Sequence, residues 1–235
     1  ACAVSTSKVR LGTGVTNMVT RHPAVTANAA KSLNMLSKGR AVLGVGAGDS
    51  AVRTAGLSPA RLPQIRQRIE FMRALLQGKE VDALEWGVDS EANTWGSESK
   101  IHVVGAEQWG NLPIQLACMG PTSVRAAGEL CDGVIVDGHM GGNAEGVRKT
   151  VETAIEGAKN AGKDASSLRF IAAIDAAIDD DRTKALDKVR PTAARNIANK
   201  PWLPDTLGVE HADVVKEVTE SYKFYHVELK TTLCW

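Results

Sequence analysis

The chain has 235 residues, of which 43% are apolar and 23% charged, with 28 Lys and Arg residues against 27 Asp and Glu residues. This composition is that of an ordinary globular protein and excludes disordered and fibrous chains. The near-neutral charge provides no whole-chain field for nucleic acid or an anionic membrane. No apolar run approaches the roughly 18 residues of a membrane span, and no signal-peptide pattern opens the chain. We therefore expect a cytoplasmic protein without nucleic-acid or membrane partners.

The cysteines indicate neither a disulfide framework nor a metal site. Cys2, Cys118, Cys131 and Cys234 are few and scattered, and none belongs to a CxxC pair or to a cluster with histidine. Cys118 and Cys131 lie in apolar contexts, which predicts buried, unreactive thiols.

Short apolar runs alternate with longer amphipathic segments, the pattern of βαβ units with a mostly parallel sheet. The strands are nearly all apolar, as expected when both of their faces are covered. Five strands are predicted, at residues 8–15, 40–46, 113–119, 132–137 and 168–174.

The amphipathic segments predict the helices. In the first, Pro23 favours a helix start, and Val25, Ala29, Leu33 and Leu36 are spaced to line one face. The later apolar stripes are Ile65, Ile69, Met72 and Leu76; Val124, Ala127 and Leu130; and Val147, Val151, Ile155 and Ala158. Further helices are predicted from about residue 182 to 198 and from about His211 onward.

Residues 78–112 do not continue this alternation of short apolar runs and amphipathic segments. The segment is polar, lacks a sustained period and holds Trp86, Trp95 and Trp109. We interpret it as an irregular excursion, with a hairpin as one form. Its tryptophans either line a ligand mouth or form a small satellite core, and the second interpretation is favoured. No linker divides the chain, so residues 1–235 are predicted to form a single domain.

In parallel α/β folds, ligands bind at the carboxyl ends of the strands. The segments that follow the first four predicted strands are residues 13–17, 46–50, 119–122 and 137–142. Three of the four are rich in glycine, which allows close approach of the backbone to a ligand. The turn at 120–122 opens a helix and is a candidate phosphate seat, with Thr122 and Ser123 as donors. The alternative is that Gly120-Pro121 only starts a helix.

The sequence gives only weak signals for a dinucleotide site, a serine hydrolase or a histidine metal site. The glycines at 44–48 follow a strand, but their spacing departs from the dinucleotide fingerprint. No serine lies in a GxSxG elbow, which disfavours a hydrolase of that class. The five histidines lack metal-ligand spacing, and each is interpreted as a cap, surface or packed residue. His22 and His139, which follow strand ends, are the two that merit a test.

Taken together, the strand-end residues resemble the luciferase-like flavin and deazaflavin oxidoreductases over about residues 9–178. The stretches that carry the resemblance are 10–17 (RLGTGVTN), 20–25 (TRHPAV), 36–40 (LSKGR), 44–50 (GVGAGDS) and 126–134 (AAGELCDGV). The combination of TRHP and GAGDS is similar to the branch that uses coenzyme F420, which includes methylenetetrahydromethanopterin reductase.

The resemblance implies an α/β (β/α)8 TIM barrel and hydride transfer between C5 of the deazaflavin and a carbon of a small organic substrate. It implies a non-prolyl cis peptide at Gly14-Val15, in a bulge that backs the ring, with polar contacts from Asp49 and Ser50 and the phosphate at the 120–122 turn. The implied cofactor-binding residues are Thr13, Gly14, Val15, Asn17, Gly46, Ala47, Gly48, Asp49, Ser50, Met119, Gly120, Pro121 and Thr122.

The strand count departs from the family pattern. A closed barrel needs eight strands and about five are predicted, so we expect an incomplete barrel whose ends at Ala1 and Trp235 are cut ends. The family's acid/base candidates lie largely on strands before Ala1, so no catalytic residue is assigned. An FMN-dependent monooxygenase on the same scaffold and a non-catalytic, flavin-binding incomplete barrel are the alternatives. The resemblance also implies a homodimer or higher homo-oligomer for the full-length form.

Overall fold

The computed structural model describes residues 1–82, 99–137 and 144–199. The predicted helix from about His211, two of the excursion tryptophans (Trp86 and Trp95) and His139 lie outside the described residues. The chain divides into two compact units, one of residues 1–136 and 150–171 and the other of residues 137–149 and 172–235. The core and the candidate site described below belong to the first unit.

The elements follow the predicted βα alternation. The strands are β1 (Leu11–Gly12), β2 (Thr16–Asn17), β3 (Ala41–Gly46), β4 (Val81–Asp82), β5 (Lys100–Ile101), β6 (Ile114–Cys118), β7 (Gly133–Asp137) and β8 (Arg169–Ala173). The helices are α1 (Cys2–Ser5), α2 (Pro23–Leu36), α3 (Ser50–Thr54), α4 (Leu62–Leu76), α5 (Pro121–Leu130), α6 (Ala144–Asn160) and α7 (Arg182–Asn199), with a 3-10 turn at Ala165–Ser167. The first predicted strand is present in two pieces, β1 and β2, and the short helix α3 lies between β3 and α4.

The main sheet has the strand order β1-β3-β6-β7-β8, with β2 also paired to β3. Its assigned pairings, β1 and β2 with β3, β3 with β6, and β6 with β7, are all parallel. Neighbours in space are therefore neighbours in the chain, as in successive βα units of a barrel. Within the excursion, β4 and β5 pair antiparallel, Val81 opposite Ile101, so the described ends of that segment form a hairpin-like ladder.

The core lies between the sheet and the helices α4 and α5. Leu43, Val45, Ile114, Leu116 and Val134 are buried on the strands. Each such side chain contributes about 1.5–3 kcal/mol when it leaves water. On α4 the predicted stripe is confirmed, because Ile65, Ile69, Met72 and Leu76 are all buried; on α5, Val124 and Ala127 are buried.

The apolar stripe predicted for α2 does not line the buried face of the helix. Val25 and Leu36 are 58% and 62% exposed, while Lys31 and Asn34 are buried. The polar side chains lie inside because they have backbone partners there. Lys31 Nζ donates to the carbonyl oxygen of Gly110 over 3.2 Å, and Asn34 Nδ2 donates to that of Trp109 over 3.3 Å. Asn34 Oδ1 also accepts from the amide that opens β3, over 3.1 Å. Satisfied hydrogen bonds therefore decide which face of α2 is buried.

The inner face of α6 also differs from the prediction. The buried residues are Thr150, Ala154, Gly157 and Ala158, so of the predicted stripe only Ala158 is buried, and Val147 is exposed. The cause is the close approach of α5: a Cβ at Gly128 would lie 1.9 Å from the carbonyl oxygen of Ala154, and one at Gly157 would lie 2.1 Å from that of Arg125. The small size of these residues, rather than their hydrophobicity, determines which face of α6 is buried.

A polar network joins α4 to the amino-terminal ends of the strands. Asp132 Oδ2 accepts from the amide of Ile114 over 2.8 Å and from Arg73 Nη2 over 3.0 Å. Arg73 Nη2 also donates to the carbonyl oxygen of Leu130 over 2.8 Å. Cys131 between them is buried, and burial raises the pKa of its thiol to about 12. Cys118 is likewise buried, and burial raises the pKa of its thiol to about 12. The predicted burial of both thiols is confirmed.

Candidate functional site

The first strand carries a bulge where the ring-backing residues were expected. Gly12 pairs with Val42 and Thr16 pairs with Val45, so residues 13–15 stand opposite only residues 43–44. One extra residue must therefore leave the ladder. Thr13, Gly14 and Val15 are exposed, and the peptide between Gly14 and Val15 is cis, as the resemblance implied.

Two glycines of β3 make room for this bulge. A Cβ at Gly44 would lie 2.0 Å from the carbonyl oxygen of Thr13, and one at Gly46 would lie 3.0 Å from Val15 Cγ2. The bulge is also fixed by Thr13 Oγ1, which donates to the carbonyl oxygen of Gly44 over 2.6 Å. Gly44 and Gly46, on the second predicted strand, thus serve backbone packing, which explains why the glycine spacing departs from a dinucleotide fingerprint.

Gly14 itself faces open space. A Cβ built on Gly14 meets no atom within 4 Å, in contrast with Gly44 on the neighbouring strand. The bulge therefore presents exposed backbone at Gly14, where no atom of the described residues lies within 4 Å of the added Cβ. A planar ring can lie against such a surface without displacing a side chain.

The loop after β3 carries the second predicted strand-end segment, residues 46–50, and lies next to the end of β2. Gly48 has a φ of +89°, and a Cβ there would lie 2.3 Å from Val52 Cγ2 and 3.2 Å from Asn17 Cβ. Ala47 accepts from the amide of Ala60 over 2.9 Å. A positive φ and these contacts both require glycine at position 48. The loop is thereby held against the end of β2.

Asp49 and Ser50 are exposed at the start of α3. Asp49 Oδ1 accepts from Arg53 Nε over 2.8 Å, one helical turn away. An ion pair this exposed is worth only about 0–1 kcal/mol, so either side chain is available to a polar ligand at little energetic cost.

Asn17 and His22 hold the turn that leaves β2. Asn17 Oδ1 accepts from the amides of Val19 and Thr20 over 2.9 and 2.8 Å. His22 Nδ1 accepts from the amide of Ala24 over 3.2 Å, and its ring lies edge-on to Phe71 with centroids 5.9 Å apart. His22 is therefore a helix cap, one of the roles that the sequence assigned to it.

The turn at Gly120 opens α5. The amide of Gly120 donates to Ser123 Oγ over 3.1 Å, and that hydroxyl donates back to the carbonyl oxygen of Gly120 over 2.8 Å. Val124 donates the first intrahelical hydrogen bond, to Gly120 over 2.9 Å. The preceding amides of Thr122 and Ser123 belong to the helix terminus, which favours an anion. Met119, Pro121 and Thr122 are exposed.

The sheet register brings these groups to one edge. Asn17 is level with Gly46, Gly46 with Ala117, and Cys118 with Val136. The bulge, the loop after β3 and the Gly120 turn therefore follow neighbouring parallel strands at their carboxyl ends. Strand β7 ends at Asp137, and residues 138–143, which hold the rest of the fourth predicted strand-end segment, lie outside the described residues.

Sequence reasoning missed one residue that positions this edge. Arg68 on α4 donates through Nη1 to the carbonyl oxygen of Met18, directly after β2. Met18 is buried, so its carbonyl group needs a partner from the protein. An arginine on the polar side of a predicted helix gives no sign of this role in the sequence.

The described residues contain neither a cluster of His, Cys, Asp and Glu that could hold a metal ion nor a helix long and apolar enough to cross a membrane. The candidate edge itself consists of backbone, glycines and small polar side chains. It is suited to holding and orienting a bound molecule.

Comparison with known proteins shows which family the chain resembles. Residues 1–228 match the profile of the luciferase-like monooxygenase family. The chain is 32% identical over 205 residues to 5,10-methylenetetrahydromethanopterin reductase of Methanolobus tindarius, a match that covers 85% of this chain and 58% of that protein. It is 31% identical over 226 residues to F420-dependent glucose-6-phosphate dehydrogenase of Nocardia farcinica, covering 90% of this chain and 63% of that one.

Solved structures agree with these matches. The structure of the coenzyme F420-dependent tetrahydromethanopterin reductase from Methanopyrus kandleri superposes with a TM-score of 0.70 at 28% identity, covering 88% of this chain and 62% of that one. The agreement confirms the predicted fold class, an incomplete luciferase-like (β/α) barrel. The chain spans less than two thirds of the length of these relatives.

Proposed function

Because the chain belongs to the luciferase-like monooxygenase family, we propose that it is part of a coenzyme F420-dependent oxidoreductase. The reaction is hydride transfer between the deazaflavin and a carbon of a small organic substrate. The similarity to 5,10-methylenetetrahydromethanopterin reductases, at 32% identity, supports this branch of the family. The similarity to F420-dependent glucose-6-phosphate dehydrogenases supports the same cofactor with a different substrate.

The observation that carries the proposal is the exposed bulge at residues 13–15. Its backbone is fixed against β3 by the Thr13 hydroxyl and by two glycines, while the space over Gly14 is open. Exposed backbone that is held in this way beside the strand ends is suited to supporting one face of a tricyclic ring. Thr13, Gly14 and Val15 are the residues proposed to do so.

The remaining site residues are proposed to surround that ring. Gly46, Ala47 and Gly48 shape the wall beside the bulge, and Asp49 and Ser50 supply polar groups at its rim. Asn17 holds the turn behind the bulge through its Oδ1, which accepts two backbone amides.

The Gly120 turn is the proposed phosphate seat. Gly120 begins the helix, Pro121 donates no amide, and the amides of Thr122 and Ser123 together with the Thr122 hydroxyl are the proposed donors. Met119, exposed just before the turn, is proposed to contact the cofactor alongside it.

When bound, the deazaflavin supplies a carbon that gives or accepts a hydride. This chain's residues contribute by orientation, since they fix one face of the ring and leave the other to the substrate. No side chain at the edge is needed as a nucleophile, which agrees with the absence of a nucleophile-and-base pattern in the sequence. No catalytic acid or base is assigned.

The test is to mix the chain with reduced F420 and with 5,10-methylenetetrahydromethanopterin, and separately oxidised F420 with glucose 6-phosphate. Formation or loss of the oxidised deazaflavin absorbance reports hydride transfer. Turnover with either pair supports the proposal. Oxygen consumption with reduced FMN that is faster than in the same mixture without the chain, and no reaction with F420, would instead indicate the monooxygenase alternative. Binding without turnover would indicate the non-catalytic alternative.

The domain organisation, the cellular location and the partners of the protein are also proposals. Residues 1–235 are proposed to form one partial barrel domain, which the continuous family match over residues 1–228 supports. The protein is proposed to act in the cytoplasm on a small molecule without a nucleic-acid partner. Cell fractionation tests the cytoplasmic location, and a nucleic-acid retention assay tests the lack of a nucleic-acid partner.

A further inference from the structure

The bulge at residues 13–15 is held by few contacts on its carboxyl side. It is followed by a strand of two residues, Thr16 and Asn17, which in the described part of the chain pairs with β3 alone. A strand this short has little local stability of its own. The position of the bulge therefore depends also on what fixes the turn that follows β2, residues 17–22, which we call the β2 turn.

Helix α4 contacts the β2 turn at two points. Arg68 Nη1 donates to the carbonyl oxygen of Met18. The ring of Phe71 lies edge-on to that of His22, with centroids 5.9 Å apart and ring planes at 85°. Arg68 and Phe71 are three residues apart, so they are neighbours on one face of the helix. We call this pair the α4 latch, because it contacts the turn near both of its ends.

Both partners in this contact are fixed in the fold. Ile69, Phe71 and Met72 are fully buried, so α4 is held in the core. On the other side, Met18 is 2% exposed, and Asn17 Oδ1 closes the turn by accepting two backbone amides. Since Met18 directly follows β2, a displacement of its carbonyl group would shift β2 and the bulge before it.

We propose that Arg68 is a positioning residue for the ligand of the bulge. Through the carbonyl group of Met18 it keeps the backbone of residues 13–15 in the arrangement that supports the deazaflavin ring, and Phe71 holds the far end of the same turn. A backbone that is ordered before binding loses little conformational entropy when the ring binds, so the latch should increase the affinity for the cofactor. This inference rests on the proposed function.

Hydrogen exchange of the whole chain without cofactor tests the latch itself. Arg68→Met removes the donor and keeps a long side chain, and it should speed exchange of the amides of residues 16–20 at least tenfold relative to wild type. Arg68→Lys keeps a cationic donor and should restore part of the protection. Arg66→Met is the matched control, because Arg66 lies on the same helix but pairs with Glu129 on α5. It should leave exchange at residues 16–20 unchanged.

Titration with F420 tests the positioning role. Arg68→Met should weaken F420 binding at least tenfold and change the visible circular dichroism of the bound deazaflavin, which reports how the ring is held. Arg68→Lys should give intermediate values, and Arg66→Met should match wild type in both measurements. A merely structural role of Arg68 would lower the urea midpoint of unfolding but leave the affinity and the dichroism of the folded protein unchanged.

The two measurements separate the possible failures. Wild-type exchange rates at residues 16–20 in Arg68→Met overturn the latch. Faster exchange together with wild-type affinity and dichroism overturns the positioning role. If the wild-type chain binds no F420, the proposed function is overturned and with it the cofactor role of Arg68, whereas the exchange rates still show whether the latch orders the bulge. Arg68→Lys provides the same comparison if Arg68→Met does not fold.

Discussion

Two glycine-to-alanine variants separate the packing role of β3 from the ligand role of the bulge. At Gly44 the added Cβ would lie 2.0 Å from the carbonyl oxygen of Thr13, so the bulge must move. Overpacking of this kind costs about 1–3 kcal/mol of folding free energy. At Gly14 the added methyl group meets nothing within 4 Å. It should leave stability unchanged within about 0.5 kcal/mol.

The same two variants should differ in how they affect cofactor binding. The methyl group at Gly14 projects into the space proposed for the ring and should weaken F420 binding about tenfold or more, equivalent to about 1.4 kcal/mol. Gly14→Val should weaken it further. Gly44→Ala should lose affinity together with stability. Lys100→Ala, at an exposed residue of β5 whose 3.8 Å ion pair with Glu80 is exposed, is the control and should change neither property.

The assays are urea unfolding followed by circular dichroism, and titration of F420 against each variant. A Gly14→Ala protein that binds F420 as tightly as wild type and as Lys100→Ala would refute the ring-backing role of the bulge. A Gly44→Ala protein of wild-type stability would refute the close packing of the bulge on β3.

Three further outcomes follow from the described contacts. Asp132→Ala removes the acceptor of the buried Ile114 amide and the partner of Arg73, and should destabilise the fold by about 2–4 kcal/mol in urea unfolding; a loss below about 0.5 kcal/mol would contradict the network. Burial lowers the pKa of Lys31 in the folded chain. Between that pKa and the usual pKa of lysine, the unfolded chain binds more protons than the folded chain, so the free energy of unfolding rises with pH in this range. Lys31→Met should show a smaller rise in urea unfolding at several pH values. Iodoacetamide at pH 8 should modify exposed Cys2 but not Cys118 or Cys131, whose pKa values of about 12 leave roughly one thiol in 10⁴ ionised; peptide mapping checks this.

The strands and most helices could be predicted from the sequence because their apolar residues recur with clear periods. The strands at 41–46, 114–118 and 133–137 lie within a residue or two of their predicted bounds. The bulge on the first strand could not be found from periodicity. Gly12 and Gly14 are compatible with a bulge, since glycine inside a strand often marks one, but they do not fix its position. Only the resemblance to a family placed it.

The apolar stripes predicted for α2 and α6 do not coincide with the buried faces of these helices, for a shared reason. Hydrophobicity ranks Val25 and Leu36 above Lys31 and Asn34, but Lys31 and Asn34 have backbone acceptors more than 70 residues along the chain. On α6, Gly157 is buried because the neighbouring backbone comes too close for any larger residue. Such long-range partners leave no trace in local spacing.

Within the candidate site, the sequence placed the glycine-rich strand ends at one edge but assigned the glycines of β3 no packing role. That role depends on the distance between two strands, which a sequence pattern does not contain. The same holds for Arg68, whose acceptor at Met18 lies 50 residues earlier in the chain.

The most direct measurement of the central claim is the binding of coenzyme F420 and of FMN to this chain, by equilibrium titration under the same conditions. We predict saturable binding of one F420 per chain, tighter than that of FMN and weakened by Gly14→Ala. Binding of neither cofactor, or F420 binding that Gly14→Ala leaves unchanged, would contradict the assignment of this strand edge as a deazaflavin site.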